Sequence, residues 1–213
     1  WMHDVLDFFK TAPAERYGVY NHLTFGATYQ FTENFVQAFS HDEVVHGKGS
    51  LANKMGLGEE ADRLANLRSL LALQWTWPGK KTLFMGCEFG QWKEWDCDNQ
   101  LDWSLLEFPI HAGLQKLVAD LNHLYLTHST WSDSDHQGDK FHWIDCDDAS
   151  GQTLSFIKYG EEPRDTLLIA CNFSDQLRHR DWGCPHSGEW KVILDTDSPD
   201  YGGGGASGSS NFQ

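Results

Sequence analysis

The sequence predicts an α/β segment followed by an all-β segment, with the change of texture near residue 130 of 213. Before that point, short apolar runs alternate with stretches whose apolar side chains recur at helical spacing. After it, strand-like runs follow one another with glycine and proline between them. With 40% hydrophobic and 14% aromatic residues, the chain can bury one sizeable core or two small ones.

Residues 33–40 (ENFVQAFS) read as a short buried strand, and Leu64, Leu67, Leu70, Leu71 and Trp75 then recur as one face of a helix. The Pro78-Gly79 turn introduces a second buried strand at 82–85, and Ile110, Leu114, Leu117, Leu121 and Leu124 mark a second helix. Strand, helix, strand, helix is the order that parallel α/β units require. Beyond residue 130, residues 141–145, 152–159, 165–173 and 190–194 read as four strands of an antiparallel β domain, punctuated by Gly151, Gly160, Pro163 and Gly188. Residues 202–210 are nearly free of apolar side chains and read as a loop or frayed end. Opening on Trp1 and closing on glycine and serine, the sequence is expected to be cut from a longer protein.

Charge narrows the partners. Thirty-one acidic against sixteen basic residues give a formal charge of −15, which repels phosphate backbones and anionic headgroups, so neither nucleic acid nor membrane is expected. No apolar run reaches the roughly 18 residues of a membrane helix and no signal peptide opens the chain, so a soluble protein is expected. Cys87, Cys97, Cys146, Cys171 and Cys184 form no CxxC pair and are odd in number, which favours a reducing cytoplasm. Asn172-Phe173-Ser174 matches the glycosylation triplet, one that arises often by chance.

The densest polar cluster is SHDEVVHGK, residues 40–48, where the first strand ends. Parallel α/β architectures carry reactive groups on such loops. His41 and His46 are five apart, not the four of a zinc-protease helix, so no metal is expected. Gly47-Lys48-Gly49-Ser50 fails as a phosphate loop, because Asp42 stands where its first glycine belongs and Lys48 is followed by Gly49. On position and composition alone, a solvated acidic loop and a carboxylate site are equally good readings. The second cluster, GCEFGQWKEW at 86–95 followed by Leu101-Asp102-Trp103, interleaves tryptophans with carboxylates and amides. That mixture suits sugar, which offers C–H faces for stacking and hydroxyls for hydrogen bonds, although any one of these tryptophans could equally cap the core. Trp75 and Trp77 read as packing residues. No GxSxG elbow and no evident cysteine–histidine pair support acyl transfer, and no cofactor is expected.

The segments HDEVVHGK (41–48), PGKKTLFMGCEFGQWKEW (78–95) and LDWSLLE (101–107) resemble glycogen branching enzymes, members of the α-amylase superfamily (glycoside hydrolase family 13). WMHDVLDFF at 1–9 and YGVYNHLTFG at 17–26 agree, and the likeness covers essentially the whole chain, weakening after residue 130. The resemblance implies that residues 1–130 hold the last strand-helix units of a (β/α)8 TIM barrel, and that residues 131–213 are a C-terminal antiparallel β-sandwich domain, incomplete here. It implies that Asp42 is the catalytic carboxylate that stabilises the transition state, that His41 binds the same sugar ring, and that Glu43, Trp92 and Trp95 belong to the substrate-binding set. The nucleophilic aspartate and the acid/base glutamate of such enzymes lie on earlier strands, outside this sequence. The expected partner is an α-1,4-glucan such as glycogen or amylose. The expected reaction cleaves an α-1,4 linkage and transfers the chain to a 6-hydroxyl by retaining double displacement. Rival readings are a related hydrolase, such as an amylase or a maltooligosyl-trehalose trehalohydrolase, and a non-catalytic glucan-binding protein. Two positions depart from the family pattern: Gly49, where a second basic residue is usual, and Cys87, where another small residue is common.

Overall fold

The structure, a computed structural model, describes residues 1–132, 135–162 and 165–206. Helix α1 (Met2–Lys10) buries Val5, Phe8 and Phe9, and a short turn of helix, α2 (Asn21–Thr24), buries Leu23. Strand β1 (Val36–Phe39) leads through a long loop to α3 (Glu60–Thr76), which returns the chain to β2 (Lys80–Leu83). β1 and β2 pair in parallel, with Val36 opposite Lys80 and Phe39 opposite Leu83. A helical crossover is what a parallel pair demands, since no tight turn can join strands that run the same way.

α3 forms from good helix-formers with leucines on its buried side, and it stops where Pro78 forces Trp77 into an extended conformation. Gln74, fully buried, donates from Nε2 to the carbonyls of Gln37 (2.9 Å) and Thr82 (3.0 Å) and so fastens α3 beneath both strands. Helix α4 (Pro109–Thr127) starts with proline, whose missing N–H has no helical partner to lose, and packs Leu114, Leu117 and Leu121 into the same core. Trp75 and Trp77 are buried, as expected of packing residues.

Neither strand is buried as the sequence suggested. Val36 is 54% exposed, and Met85, expected within the second strand, lies beyond its end and is 52% exposed. Among the described residues each of these strands has a single neighbour.

After α5 (Ser129–Ser132) come β3 (Phe141–Asp145), β4 (Thr153–Tyr159) and β5 (Thr166–Asn172), an antiparallel sheet in the order β3-β4-β5 with an irregularity between Trp143 and Asp145. The fourth strand expected at 190–194 does not form; only Trp190 makes an isolated bridge. Alternating burial survives there, but a period-two pattern defines a face without supplying a ladder partner. Of the expected sandwich, the described residues form this one sheet. The glycine-rich stretch is not frayed as far as residue 206, because the N–H groups of Gly204 and Ala206 donate to the Asp197 carboxylate at 2.9 and 2.7 Å. Residues 207–210 and Pro163 lie outside the described residues.

One core runs through both parts: the Trp77 ring meets Phe141, Trp143 and Phe156 of the sheet. Buried Arg16 donates to Phe173 O at 2.6 Å and Asn66 Oδ1 at 3.1 Å, and burial pulls its pKa down to about 10. Asp135 is buried at the same junction. Its carboxylate lies 3.1 Å from Lys158 Nζ, 3.8 Å from Lys81 Nζ and 3.7 Å from Lys80 Nζ, and it accepts from the Tyr125 hydroxyl. Lys81 and Lys158 are buried too, and burial outweighs the attraction of Asp135, lowering the Lys158 pKa and bringing that of Lys81 to about 7.

Candidate functional site

Where β1 ends, Ser40 caps a single 3-10 turn, His41–Glu43. Its hydroxyl accepts from Asp42 N at 3.2 Å, while Glu43 Oε2 accepts from Ser40 N at 2.6 Å and Ser40 Oγ at 3.0 Å. This reciprocal capping box commits Glu43 inward, where it is buried, and turns its two predecessors outward. His41 and Asp42 have side chains 59% and 67% exposed and adjoin each other, Nε2 to Oδ1 at 3.3 Å. Of the expected substrate-binding residues, Glu43 is therefore the one that holds the turn, with Oε2 of its carboxylate engaged by Ser40.

The chain then bends through left-handed backbone at His46 (φ 59°), Gly47 (φ 80°) and Gly49 (φ 72°). Such a conformation is free for glycine and strained for a side chain, which gives a local reason for Gly49 at a position where a second basic residue is usual in the family it resembles. The N–H groups of Gly47 and Gly49 donate to the two oxygens of Glu94 at 2.8 and 2.6 Å, and these bonds hold the Glu94 carboxyl below the usual carboxylate range. Trp95 N donates to Val44 O at 3.1 Å and Asn53 Nδ2 to Trp92 O at 2.8 Å. The loops that leave β1 and β2 are thus stitched together at the same end of the parallel pair.

The second loop begins at the 3-10 turn Cys87–Phe89. Gly90 follows it at φ 69°, and a Cβ there would stand 2.8 Å from Leu64 and 2.9 Å from Leu114, so glycine lets the loop press onto α3 and α4. Cys87 is buried in the core, where it packs, and burial pushes its thiol up to about 12.

Both nominated tryptophans are half-buried. The Trp95 ring stands edge-on to Phe84 (centroids 5.2 Å apart), and Phe84 in turn lies 6.1 Å from the His41 ring, so this tryptophan belongs with His41 and Asp42. Trp92 lies against the helices: its Nε1 donates to Glu60 Oε1 at 3.1 Å and its ring meets His111 edge-on at 5.9 Å. Beside them opens a polar cleft of about 680 Å³ lined by Gln91, Lys93, Glu94, Asp96, Asp102 and Trp103, among others. Trp103 is 49% exposed over Phe89, and Asp102, hydrogen-bonded by Ser104 and by Lys93, is held below the usual range. His41, Asp42, Trp92 and Trp95 are outside that lining.

Nothing in the residues around Glu94 and Trp103 signals these contacts in advance, whereas Ser40-x-x-Glu43 is itself a legible capping box. Among the described residues, Asp96, Cys97 and Asp98 bring possible ligand atoms within 4.8 Å of one another on an exposed loop, where Asp96 already accepts from Asp98 N and Asn99. No described helix is long and apolar enough to cross a membrane.

Comparison with known proteins agrees with the resemblance. Residues 143–212 match the family described as alpha amylase, C-terminal all-beta domain. The chain is 46% identical over 204 residues to the 1,4-alpha-glucan branching enzyme GlgB of Rhodospirillum rubrum, covering 95% of this chain and 27% of that protein. It is 44% identical over 207 residues to that of Aquifex aeolicus (96% of this chain, 32% of the relative). With that of Thermobifida fusca it shares 48% over 211 residues (97% and 28%). The chain thus spans roughly 30% of the length of these relatives. Over nearly its whole length it is homologous to the 1,4-alpha-glucan branching enzymes, and its last third carries the alpha-amylase C-terminal all-beta domain.

Proposed function

We propose that this chain supplies the transition-state-stabilising carboxylate, Asp42, and part of the glucan-facing surface of a 1,4-α-glucan branching enzyme. The observation that carries the proposal is the outward presentation of the His41–Asp42 pair at the carboxyl end of β1, braced through Phe84 by the Trp95 loop that leaves β2. In parallel α/β folds reactive groups gather at that end of the strands. On this proposal β1 and β2 are the last two strands of a (β/α)8 barrel that occupies residues 1–130 and continues into sequence outside this chain, since a whole barrel takes about 250 residues. Residues 131–213 are then the C-terminal β domain. The five unpaired cysteines suit a cytoplasmic protein.

In the reaction, a carboxylate from outside this sequence attacks the anomeric carbon as a second protonates the departing glycosidic oxygen. The 6-hydroxyl of another glucan chain then attacks the anomeric carbon, giving its proton to the carboxylate that protonated the first leaving group and displacing the enzyme, which leaves an α-1,6 branch. The Asp42 carboxylate accepts hydrogen bonds from the ring hydroxyls and a His41 N–H donates to them, contacts that strengthen as positive charge develops on the sugar. Glu43 keeps the turn in shape. The test is Asp42→Asn in the full-length enzyme. If those contacts contribute about 3–5 kcal/mol, kcat falls roughly 10²- to 10⁴-fold with little change in KM. A folded variant working at near-normal rate removes Asp42 from the catalytic set. Counting α-1,6 linkages against reducing ends separates transfer from hydrolysis, and reducing ends without branches mean that the enzyme is a hydrolase.

A further inference from the structure

His111, near the start of α4, has a fully buried ring held between two groups that only accept. Its Nδ1 lies 2.7 Å from the carbonyl oxygen of Phe89 and its Nε2 3.0 Å from Glu60 Oε1. A neutral imidazole carries one N–H and would set a lone pair against one of these oxygens at contact distance, whereas the imidazolium has a proton for each. Glu60 Oε1 also accepts the indole N–H of Trp92. Two donors converging on one oxygen, on a side chain 56% exposed, describe a carboxylate.

We infer that His111, doubly protonated and paired with Glu60, is a positioning residue that sets Trp92 and the loop after β2 in the orientation that meets glucan. One cation grips the loop twice: directly at Phe89, and at Trp92 through the Glu60 oxygen both share. The imidazole and the Trp92 ring also meet edge to face, with centroids 5.9 Å apart and an interplanar angle of 89°. Two acidic groups face His111 among the described residues. Glu60 comes from α3, and Asp102, paired with Lys93 at 3.1 Å, acts from the loop. Loss of the ring proton would set a lone pair against Phe89 or Glu60 and free the loop at that point. The part concerning glucan rests on the function proposed above; the protonation state does not.

The experiment has two arms on the intact protein that carries this sequence. Histidine-selective 15N labelling, with the His111 signals assigned by their loss in His111→Gln, is expected to give two slowly exchanging ring N–H groups at pH 7 and a single one in Glu60→Gln. A single ring N–H in the unmutated folded protein overturns the inference. In amylose kinetics, His111→Gln and Glu60→Gln are expected to raise KM about 2- to 12-fold, the worth of one aromatic stacking contact, with kcat within about twofold. Leu121→Ala, buried on the same helix away from the loop, is the control: it lowers thermal stability without moving KM. Equal KM changes in all three variants reduce His111 to a structural residue and overturn the positioning role. An unmutated protein with no branching activity sinks the proposed function instead, and the labelling arm is read without it.

Discussion

Replacing Asp135 with Asn tests how the α/β part and the sheet are joined. The substitution keeps shape and a hydrogen-bonding oxygen but removes the one carboxylate shared by the buried amines of Lys158 and Lys81, 3.1 and 3.8 Å away. Those amines come from β4 and β2, so the charge they lose is the electrostatic joint between the two parts. Removing one partner of a buried pair costs about 3–5 kcal/mol, because the other charge stays out of water uncompensated. At about 2–4 °C per kcal/mol for a protein of this size, Tm should fall by roughly 6–20 °C. Calorimetry at pH 7 measures it directly. Adding Lys158→Met, which removes the stranded amine and fills its space, should recover most of the loss. An Asp135→Asn variant within about 1 kcal/mol of the parent, or no recovery in the double variant, would refute the idea that this carboxylate carries the joint.

Further outcomes follow from the same structure. Lys81 has a folded pKa of about 7 against an ordinary 10.5, so above pH 7 the unfolded chain holds more protons and stability should rise with pH. Urea midpoints from pH 7 to 8.5 should therefore climb, and Lys81→Met should flatten that slope; a falling midpoint in the unmutated chain would contradict it. Glu94→Gln leaves one acceptor oxygen for two N–H groups, so amide exchange at Gly47 or Gly49 should accelerate, and unchanged protection at both would show that the clamp is idle. Trp92→Ala should weaken glucan binding by about 0.5–1.5 kcal/mol with a smaller effect on folding, and a loss of several kcal/mol in stability would make the ring a core residue. Expressed alone, the chain should show no branching by iodine staining, and activity would place the nucleophile and acid within it.

The two long helices were legible because each buries one face, and Leu64 to Trp75 and Leu114 to Leu121 carry that face openly. β2 begins two residues earlier than apolar runs suggest, because such runs pass over Lys80 and Lys81, residues that pair with Asp135 far along the chain. Residues 190–194 show the converse, a strand-like pattern that forms a single bridge at Trp190 and no ladder among the described residues. At the site, residue pattern alone leaves an acidic loop and a carboxylate site level, and it is the family resemblance that implies the second. Glu94 was in view, but its partners are backbone N–H groups of glycines in a distant loop, and backbone donors leave no side-chain signature. His111 reads from sequence as a helix residue like any other. Only the placement of two acceptors on either side of its ring singles it out.

The Glu94 clamp sets the unit in which this surface can be exchanged. A loop transplanted from a relative between β1 and α3 that does not turn left-handed at 47 and 49, as glycine does readily, would aim its N–H groups away from Glu94, and a new loop after β2 without an acid at 94 would take away the carboxylate that both amides share. Chimeras that move both segments together keep the seam intact, while those that move one alone cut through it. A recombination library with its crossover between residues 49 and 94 should therefore be depleted of active members unless the parents match on both sides.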